Sequence, residues 1–407
     1  MLTAAHAIGR YEDVRETVME RAKSISEVRR LGSSRAITAP ITARAEVVVP
    51  VASQERRALA FGARAPELEG DLTLAQTINA TLKDALAARP EALVFGEDVA
   101  KKGGVYGVTR GLRKAFGTAQ VFDTLLDEQT ILGTALGSAL CGFLPIPEIQ
   151  YLAYLHNAED QLRGEAATLR FFSNGQYANG MVVRVAGLAY QKGFGGHFHN
   201  DNSVAVLRDI PGLVLAVPSH PGNAAGLFRQ CLELAAEGRV CVYLEPIALY
   251  HRRDLHDGDG AWLAPYAPPE LWGDDETSTL GNVLTIGTGS DVLLVTFGNG
   301  VPMSLRATTT LAEEGISTTV LDLQWLSPLP REELVRVAEV FPRVLVVDET
   351  RESGGVSESV VTALVDGGYE GMVRRVTSAD SFIPLGPAAD HVLLSEIDIA
   401  GAARAMF

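Results

Sequence analysis

The chain has 407 residues, 47% of them apolar, and a formal net charge of −15. That length exceeds one hydrophobic core and implies two or more domains, while the absence of any run of about 18 uninterrupted apolar residues argues against a membrane-spanning helix. The charge excludes nucleic acid as a partner: residues 1–45 hold eight Lys and Arg against five Asp and Glu, the remainder holds 27 against 45, and no basic stripe offsets repulsion from a phosphate backbone.

Three cysteines, Cys141, Cys231 and Cys241, form neither a CxxC nor an even framework, which points to the reducing cytoplasm. Each lies in an apolar run and is expected in the core. The N-terminus has no apolar secretory segment, and Glu12, Asp13, Glu16 and Glu20 make it too acidic for a transit peptide. Tyr11 to Arg30 reads as an amphipathic helix with Val14, Val18, Ile25 and Val28 on one side. Residues 31–70, with scattered Ser, Pro, Ala and Gly, read as a connector.

From Leu72 the pattern alternates regularly. Thr73 and Gln76 have capping-box spacing ahead of Ile78, Leu82 and Leu86, so a helix starts near 73. Buried strands are expected at Leu93–Phe95, Val121–Leu126, Ile146–Gln150, Met181–Ala186, Leu213–Val217 and Cys241–Leu244, with helices at 128–142, 154–170 and 221–236. Residues 251–280 break the rhythm with Asp, Gly and Pro and read as a linker. A second unit follows, with strands at Val292–Phe297, Thr319–Leu323, Val344–Val347 and Val373–Val376 and helices at 301–314, 330–340 and 356–366. Short apolar strands separated by helices predict an α/β fold of two successive open, mostly parallel sheets flanked by helices. The expected domains are residues 1–70, 71–250, a linker at 251–285, and 286–407.

Three places carry candidate chemistry. Glu128 opens the helix after the strand at 121, where unpaired N–H groups favour an anion; by itself it reads equally as a helix-end acid with no further task. Gly193-Phe-Gly-Gly-His197-Phe-His199-Asn-Asp201 follows the strand at 181, and loops after parallel strands are where α/β proteins place ligands. Its histidines admit three readings: metal ligands with Asp201, an acid/base group beside a substrate, or solvated loop residues. In Glu148-Ile-Gln-Tyr-Leu-Ala-Tyr154, Tyr151 and Tyr154 offer ring faces to a planar ligand or to the core. Gly258-Asp-Gly260 with Asn282 is rejected as a diphosphate and magnesium motif, because it lies in a polar, Pro-containing linker instead of between a strand and a helix N-terminus. Gly103-Gly104 and Gly354-Gly355 lack dinucleotide-fingerprint spacing and read as turns.

Phe95-Gly-Glu-Asp-Val99, Asp123-Thr-Leu-Leu-Asp-Glu128-Gln, Glu148-Ile-Gln-Tyr-Leu-Ala-Tyr154 with Asp160-Gln161, and His199 ahead of Ile210-Pro-Gly212 occur in one order. With Glu245-Pro246, Gly289-Ser-Asp291, Val320-Leu-Asp322-Leu and Asp348-Glu349, the chain resembles the β subunit of the decarboxylating component of 2-oxo acid dehydrogenases, with a transketolase-type pyrimidine domain and C-terminal domain. The resemblance covers about residues 72–385.

It implies thiamin diphosphate as cofactor, decarboxylation of a 2-oxo acid, and transfer of the acyl group to the lipoyl group of a partner acyltransferase. Glu128 falls on the cofactor-activating glutamate, Tyr154 on the aromatic that stacks on the aminopyrimidine, and His199 on the histidine near the substrate carbonyl. Glu97 matches an acid near the subunit interface, and Leu126 falls either on the cofactor pocket or in the core. The family's diphosphate and Mg²⁺ motif has no credible copy here, so the resemblance implies an α subunit that carries it, and assembly of two copies of each chain. Tyr11 to Arg44 resembles the tail of such an α subunit. The Glu148-Ile-Gln motif and Tyr154 lean toward branched-chain substrates. Three departures stand out: Asp209 where the family has a second histidine, a changed segment after Asp201, and an ending, Leu385-Gly-Pro-Ala-Ala-Asp, without the usual Leu-Glu pair.

Overall fold

The computed structural model describes residues 3–25, 31–42, 50–62, 65–68, 70–191, 196–270 and 276–407. The chain divides into two compact units, Met1–Ala43 and Arg44–Phe407. The smaller unit contains the helices Ala4–Ile25 and Ser34–Thr42. The first begins seven residues before the expected Tyr11 and is described to Ile25; residues 26–30 of the expected helix lie outside the described residues. The expected connector is also more ordered than its composition suggested, since it holds Ser34–Thr42 and a further helix, Gln54–Phe61, capped by the Ser53 side chain.

In the larger unit the strands are β1 (Asp71–Leu72), β2 (Ala92–Gly96), β3 (Val121–Asp123), β4 (Leu144–Ile149), β5 (Met181–Gly187), β6 (Val214–Ala216), β7 (Val240–Pro246), β8 (Ala264–Pro265), β9 (Leu284–Ile286), β10 (Val292–Thr296), β11 (Thr318–Asp322), β12 (Trp325–Ser327), β13 (Arg343–Arg351) and β14 (Met372–Ser378). A seven-stranded sheet runs β12-β6-β7-β5-β4-β2-β3, and a five-stranded sheet runs β14-β13-β10-β11-β9. All pairings within them are parallel except the edge pairs β12 with β6 and β9 with β11. The mostly parallel α/β architecture is thus the one the alternation predicts. The two sheets are not independent, however: β12 follows β11 of the second sheet directly yet pairs with β6 of the first.

The helix Leu74–Ala88 begins with the expected capping box, in which Thr73 accepts from the Gln76 N–H and Gln76 returns a bond to the Thr73 N–H. Its apolar face packs with the helix Pro221–Ala236 on one side of the first sheet, while helix Glu128–Leu140 covers the other. The expected linker is not featureless, because its β8 pairs with β1 and Asp259 ties its own loop by accepting from the N–H groups of Leu255, His256 and Ala261. Gly103 and Gly104 both adopt positive φ, as turn glycines do.

A buried charge cluster fixes the centre of the first sheet. Arg184 on β5 bonds Glu148 on β4 at 2.6 Å and Glu245 on β7 at 2.7 and 2.9 Å, and the Tyr250 hydroxyl donates to Glu245 at 2.6 Å. Burial pushes the Glu245 carboxyl above its ordinary value, opposed by the attraction of Arg184. Two motif residues of the sequence, Glu148 and Glu245, thereby have a structural task.

Candidate active site

Strand β3 ends at Asp123, three residues earlier than expected, because the Asp123 carboxylate turns back to accept the N–H groups of Ala100 and Lys101. Leu125 and Leu126 follow at 79% and 69% exposure, so the core alternative for Leu126 is corrected. The chain then enters the helix Glu128–Leu140, whose first residue is Glu128. The Glu128 carboxylate is 6% exposed and accepts a hydrogen bond at Oε2 from Asn157 Nδ2 at 3.1 Å. Its Oε1 accepts none from the described residues. Cys141, at the other end of this helix, is exposed, against its expected place in the core; Cys231 and Cys241 are buried.

The expected helix 154–170 is broken into short pieces. An α-helical turn spans Leu152–Leu155, a 3₁₀ turn His156–Ala158, a wider π-type stretch Gln161–Ala166, and α-geometry returns over Ala167–Phe172. Local widening of this kind concentrates at functional sites. The Asp160 side chain lies against Gly164, where an added Cβ would sit too close to its Oδ1 for a continuous stack of side chains. This irregular path turns Tyr154 toward one side and Asn157 toward Glu128.

Tyr151, Tyr154 and His199 form an aromatic cluster. The Tyr151 ring meets Tyr154 edge-on at 5.3 Å and His199 at 4.5 Å, and Tyr154 Oη lies 3.5 Å from His199 Nε2. Tyr106 closes the cluster with its hydroxyl 3.1 Å from that of Tyr151. Burial first, then the negative charges of Glu97 and Glu128, push the Tyr154 phenol up. Burial, Asp98 and Glu128, in that order, push the Glu97 carboxyl up. Tyr154, Glu97 and Glu128 therefore act on one another electrostatically although they come from three segments.

The loop of His199 is described from Gly196; Gly193 to Gly195 lie outside the described residues. His197, Phe198 and Phe382 stack together at 4.1 and 5.2 Å, and Asp201 bonds His156 Nε2 at 2.7 Å, so His197, His199 and Asp201 have separate partners instead of one centre. Among the described residues no group of His, Cys, Asp and Glu is arranged to hold a metal ion. Asp209, at the position of the departure before Pro-Gly, is mostly exposed and pairs with Arg163. Sequence reasoning missed His156 and Asn157. Their signal was present only as two polar residues directly after Tyr154 in a stretch read as a continuous helix.

A buried carboxyl with one oxygen held and one available, beside partly open tyrosine rings and an imidazole, can hold a proton against a basic ring nitrogen and stack a planar heterocycle. This donor set fits an aminopyrimidine.

Comparison with known proteins identifies the two domains. Residues 71–250 match the model of the transketolase pyrimidine-binding domain, and residues 281–399 that of the transketolase C-terminal domain. The pyruvate dehydrogenase E1 component subunit beta of Staphylococcus epidermidis is 33% identical over 342 residues, covering 82% of this chain and 98% of that protein. The protein of the same name from Staphylococcus aureus is 32% identical over 341 residues, with the same coverage. A solved split-gene transketolase, described as an inactive β4 tetramer, shares the fold at a TM-score of 0.63 and 20% identity, over 82% of this chain and 98% of its own. The chain belongs to the family of β subunits of the decarboxylating E1 component of 2-oxo acid dehydrogenases, built on transketolase-type pyrimidine-binding and C-terminal domains.

Proposed function

We propose that this chain is the β part of a 2-oxo acid dehydrogenase that decarboxylates a 2-oxo acid on thiamin diphosphate and passes the acyl group to a lipoyl domain. The observation that carries the reading is the convergence of Glu128, Tyr154 and His199, from segments far apart in sequence, with Glu128 buried and anchored by Asn157. When bound, thiamin diphosphate supplies a carbon nucleophile and an electron sink for the decarboxylation.

The chain's own residues have distinct tasks in this account. Glu128 would hold the pyrimidine through Oε1, where it could share a proton with a ring nitrogen, while Asn157 keeps Oε2 occupied. Tyr154 would offer its ring face to the pyrimidine. Exposed Leu126 is a lining residue whose apolar side chain becomes covered when the cofactor and a second chain are present. Glu97 lies at the rim, close enough to Glu128 for its charge to matter. His199 stands beside the substrate carbonyl and the incoming lipoyl group, where an imidazole donates or accepts a proton near neutral pH.

The diphosphate and Mg²⁺ belong on an α partner in this reading, and two copies of each chain complete two sites. A cleft of about 620 Å³ lined by Gln76, Asn79, Arg110 and Arg253 lies apart from the three site residues. The curated relatives are named for pyruvate, while the 148–154 motif leans toward branched-chain substrates; the substrate class proposed is the 2-oxo acids as a group. Residues 1–70 are proposed as an α-like tail, followed by the pyrimidine domain to 250, a linker to 285, and the C-terminal domain. Reducing conditions of the cytoplasm suit the three free thiols.

The test is reconstitution with an α-type chain and measurement of 2-oxo acid-dependent reduction of an artificial electron acceptor. Turnover that requires both chains supports the division of the site. Turnover by this chain alone overturns it, and no turnover with any α-type chain favours a silent assembly subunit.

A further inference from the structure

Asp201 ties the segment that carries His199 to two neighbouring parts of the chain. Its carboxylate is 6% exposed and receives bonds from two sides: His156 Nε2 at 2.7 Å, and the Ser203 N–H and hydroxyl at 3.2 and 2.6 Å. Arg351 on β13 adds an ion pair at 3.7 Å from the second sheet. The flanking Asn200 and Asn202 are buried as well, Asn200 accepting from the Gln191 N–H at 3.0 Å and Asn202 donating to the Glu349 carbonyl at 2.8 Å. Burial disfavours the charged Asp201, yet the bonds from His156 and Ser203 outweigh it and hold the carboxyl below its ordinary value.

His156 is not a remote anchor. It lies between Tyr154, whose hydroxyl meets His199, and Asn157, which holds Glu128. The His156–Asp201 bond is thus a direct strut between the segment bearing the tyrosine and the loop bearing the histidine. With Nε2 committed to Asp201, the imidazole joins the two segments through a single 2.7 Å bond.

We propose that Asp201, gripped by His156, is the positioning residue for His199 in the decarboxylation and acyl transfer, and that removing the grip displaces the imidazole without disturbing cofactor binding. The proposal rests on the reading of His199 as the reaction-site histidine. A merely structural role for the pair predicts something else: loss of stability and of every ligand together.

The experiment uses the full chain reconstituted with an α-type partner and compares His156→Phe, which removes the N–H donor, with His156→Gln, which retains one. His156→Phe is expected to lower kcat for 2-oxo acid-dependent acceptor reduction by about 10- to 100-fold, with KM and the thiamin diphosphate dissociation constant within about twofold, as misplacement of a reacting group does. His156→Gln is expected to recover most of that loss. In parallel, the rate of carbethoxylation of His199 by diethyl pyrocarbonate, read by peptide mass on this chain alone, is expected to rise several-fold in His156→Phe and to stay near wild type in His156→Gln. Unchanged kcat and unchanged His199 reactivity in His156→Phe overturn the proposal. So does a loss shared equally by both variants with cofactor binding lost alongside. If the wild-type pair turns over no 2-oxo acid, the functional reading fails, and the carbethoxylation rates still decide the positioning of His199.

Discussion

Asn157 Nδ2 donates to Glu128 Oε2 at 3.1 Å, across 29 residues of sequence, and leaves the other carboxylate oxygen open. A hydrogen bond to a charged, buried group contributes about 1.5–3 kcal/mol. Asn157→Ala is therefore expected to reduce turnover by about 10- to 100-fold and, by leaving a buried carboxyl oxygen without its donor, to lower the thermal midpoint by about a few degrees. Steady-state kinetics with a reconstituted α partner check this; an unchanged kcat counts against the role of the amide.

Tyr154 separates ring from hydroxyl. Its oxygen lies at the limit of bonding distance from His199, 3.5 Å, whereas its ring joins the cluster with Tyr151. Tyr154→Phe is expected to keep the cofactor concentration for half-maximal activity within about twofold, and Tyr154→Ala to raise it by about 3- to 10-fold, the worth of one aromatic contact. Titration of activity with thiamin diphosphate distinguishes them.

The Arg184 cluster predicts a stability effect away from the chemistry. Arg184 is fully buried between Glu148 and Glu245, and removing one partner of a buried pair costs about 3–5 kcal/mol. Glu245→Ala should lower the urea midpoint sharply, or prevent folding, whereas an exposed pair such as Arg336–Glu333 should be nearly neutral to the same treatment.

Two buried acids at the junction of the sheets predict a pH dependence. Burial pushes Asp322 up to about 7 and Glu349 up to about 8. Asp322 accepts from Ser219 and Asn223 of the first domain, and Glu349 from Asn299. The folded chain keeps these protons where the unfolded chain, with carboxyls near about 4, has released them. Stability therefore falls as pH rises from about 4 to about 7 for Asp322 and about 8 for Glu349, and the loss is complete above those values. The urea midpoint of Asp322→Asn should fall less between pH 5 and 8 than that of the wild type; an equal fall contradicts the assignment.

Much of this fold was legible because its strands are short, apolar and separated by helices, and because Thr73 and Gln76 announce a helix start. The antiparallel edges were not, since three-residue strands such as Trp325–Ser327 carry no period and their partners are set by the tertiary fold. The segment after Tyr154 misled because its helix-forming composition hides the change of winding at His156 and Gln161. At the site, Glu128, Tyr154 and His199 were found by their order along the chain, while His156 and Asn157 act across 45 and 29 residues through contacts that no spacing records. Leu125 and Leu126 looked like strand residues; the turn made by Asp123 places them at the surface instead.

The central claim is that Glu128 of this chain activates a cofactor held jointly with another chain. It is tested most directly by 2-oxo acid-dependent acceptor reduction with wild type and Glu128→Gln, each reconstituted with the same α-type partner and thiamin diphosphate. The account predicts activity only when both chains are present, and a loss of about 100-fold or more in Glu128→Gln with unchanged circular dichroism, the scale of a lost proton-transfer group. Wild-type turnover in Glu128→Gln would contradict it.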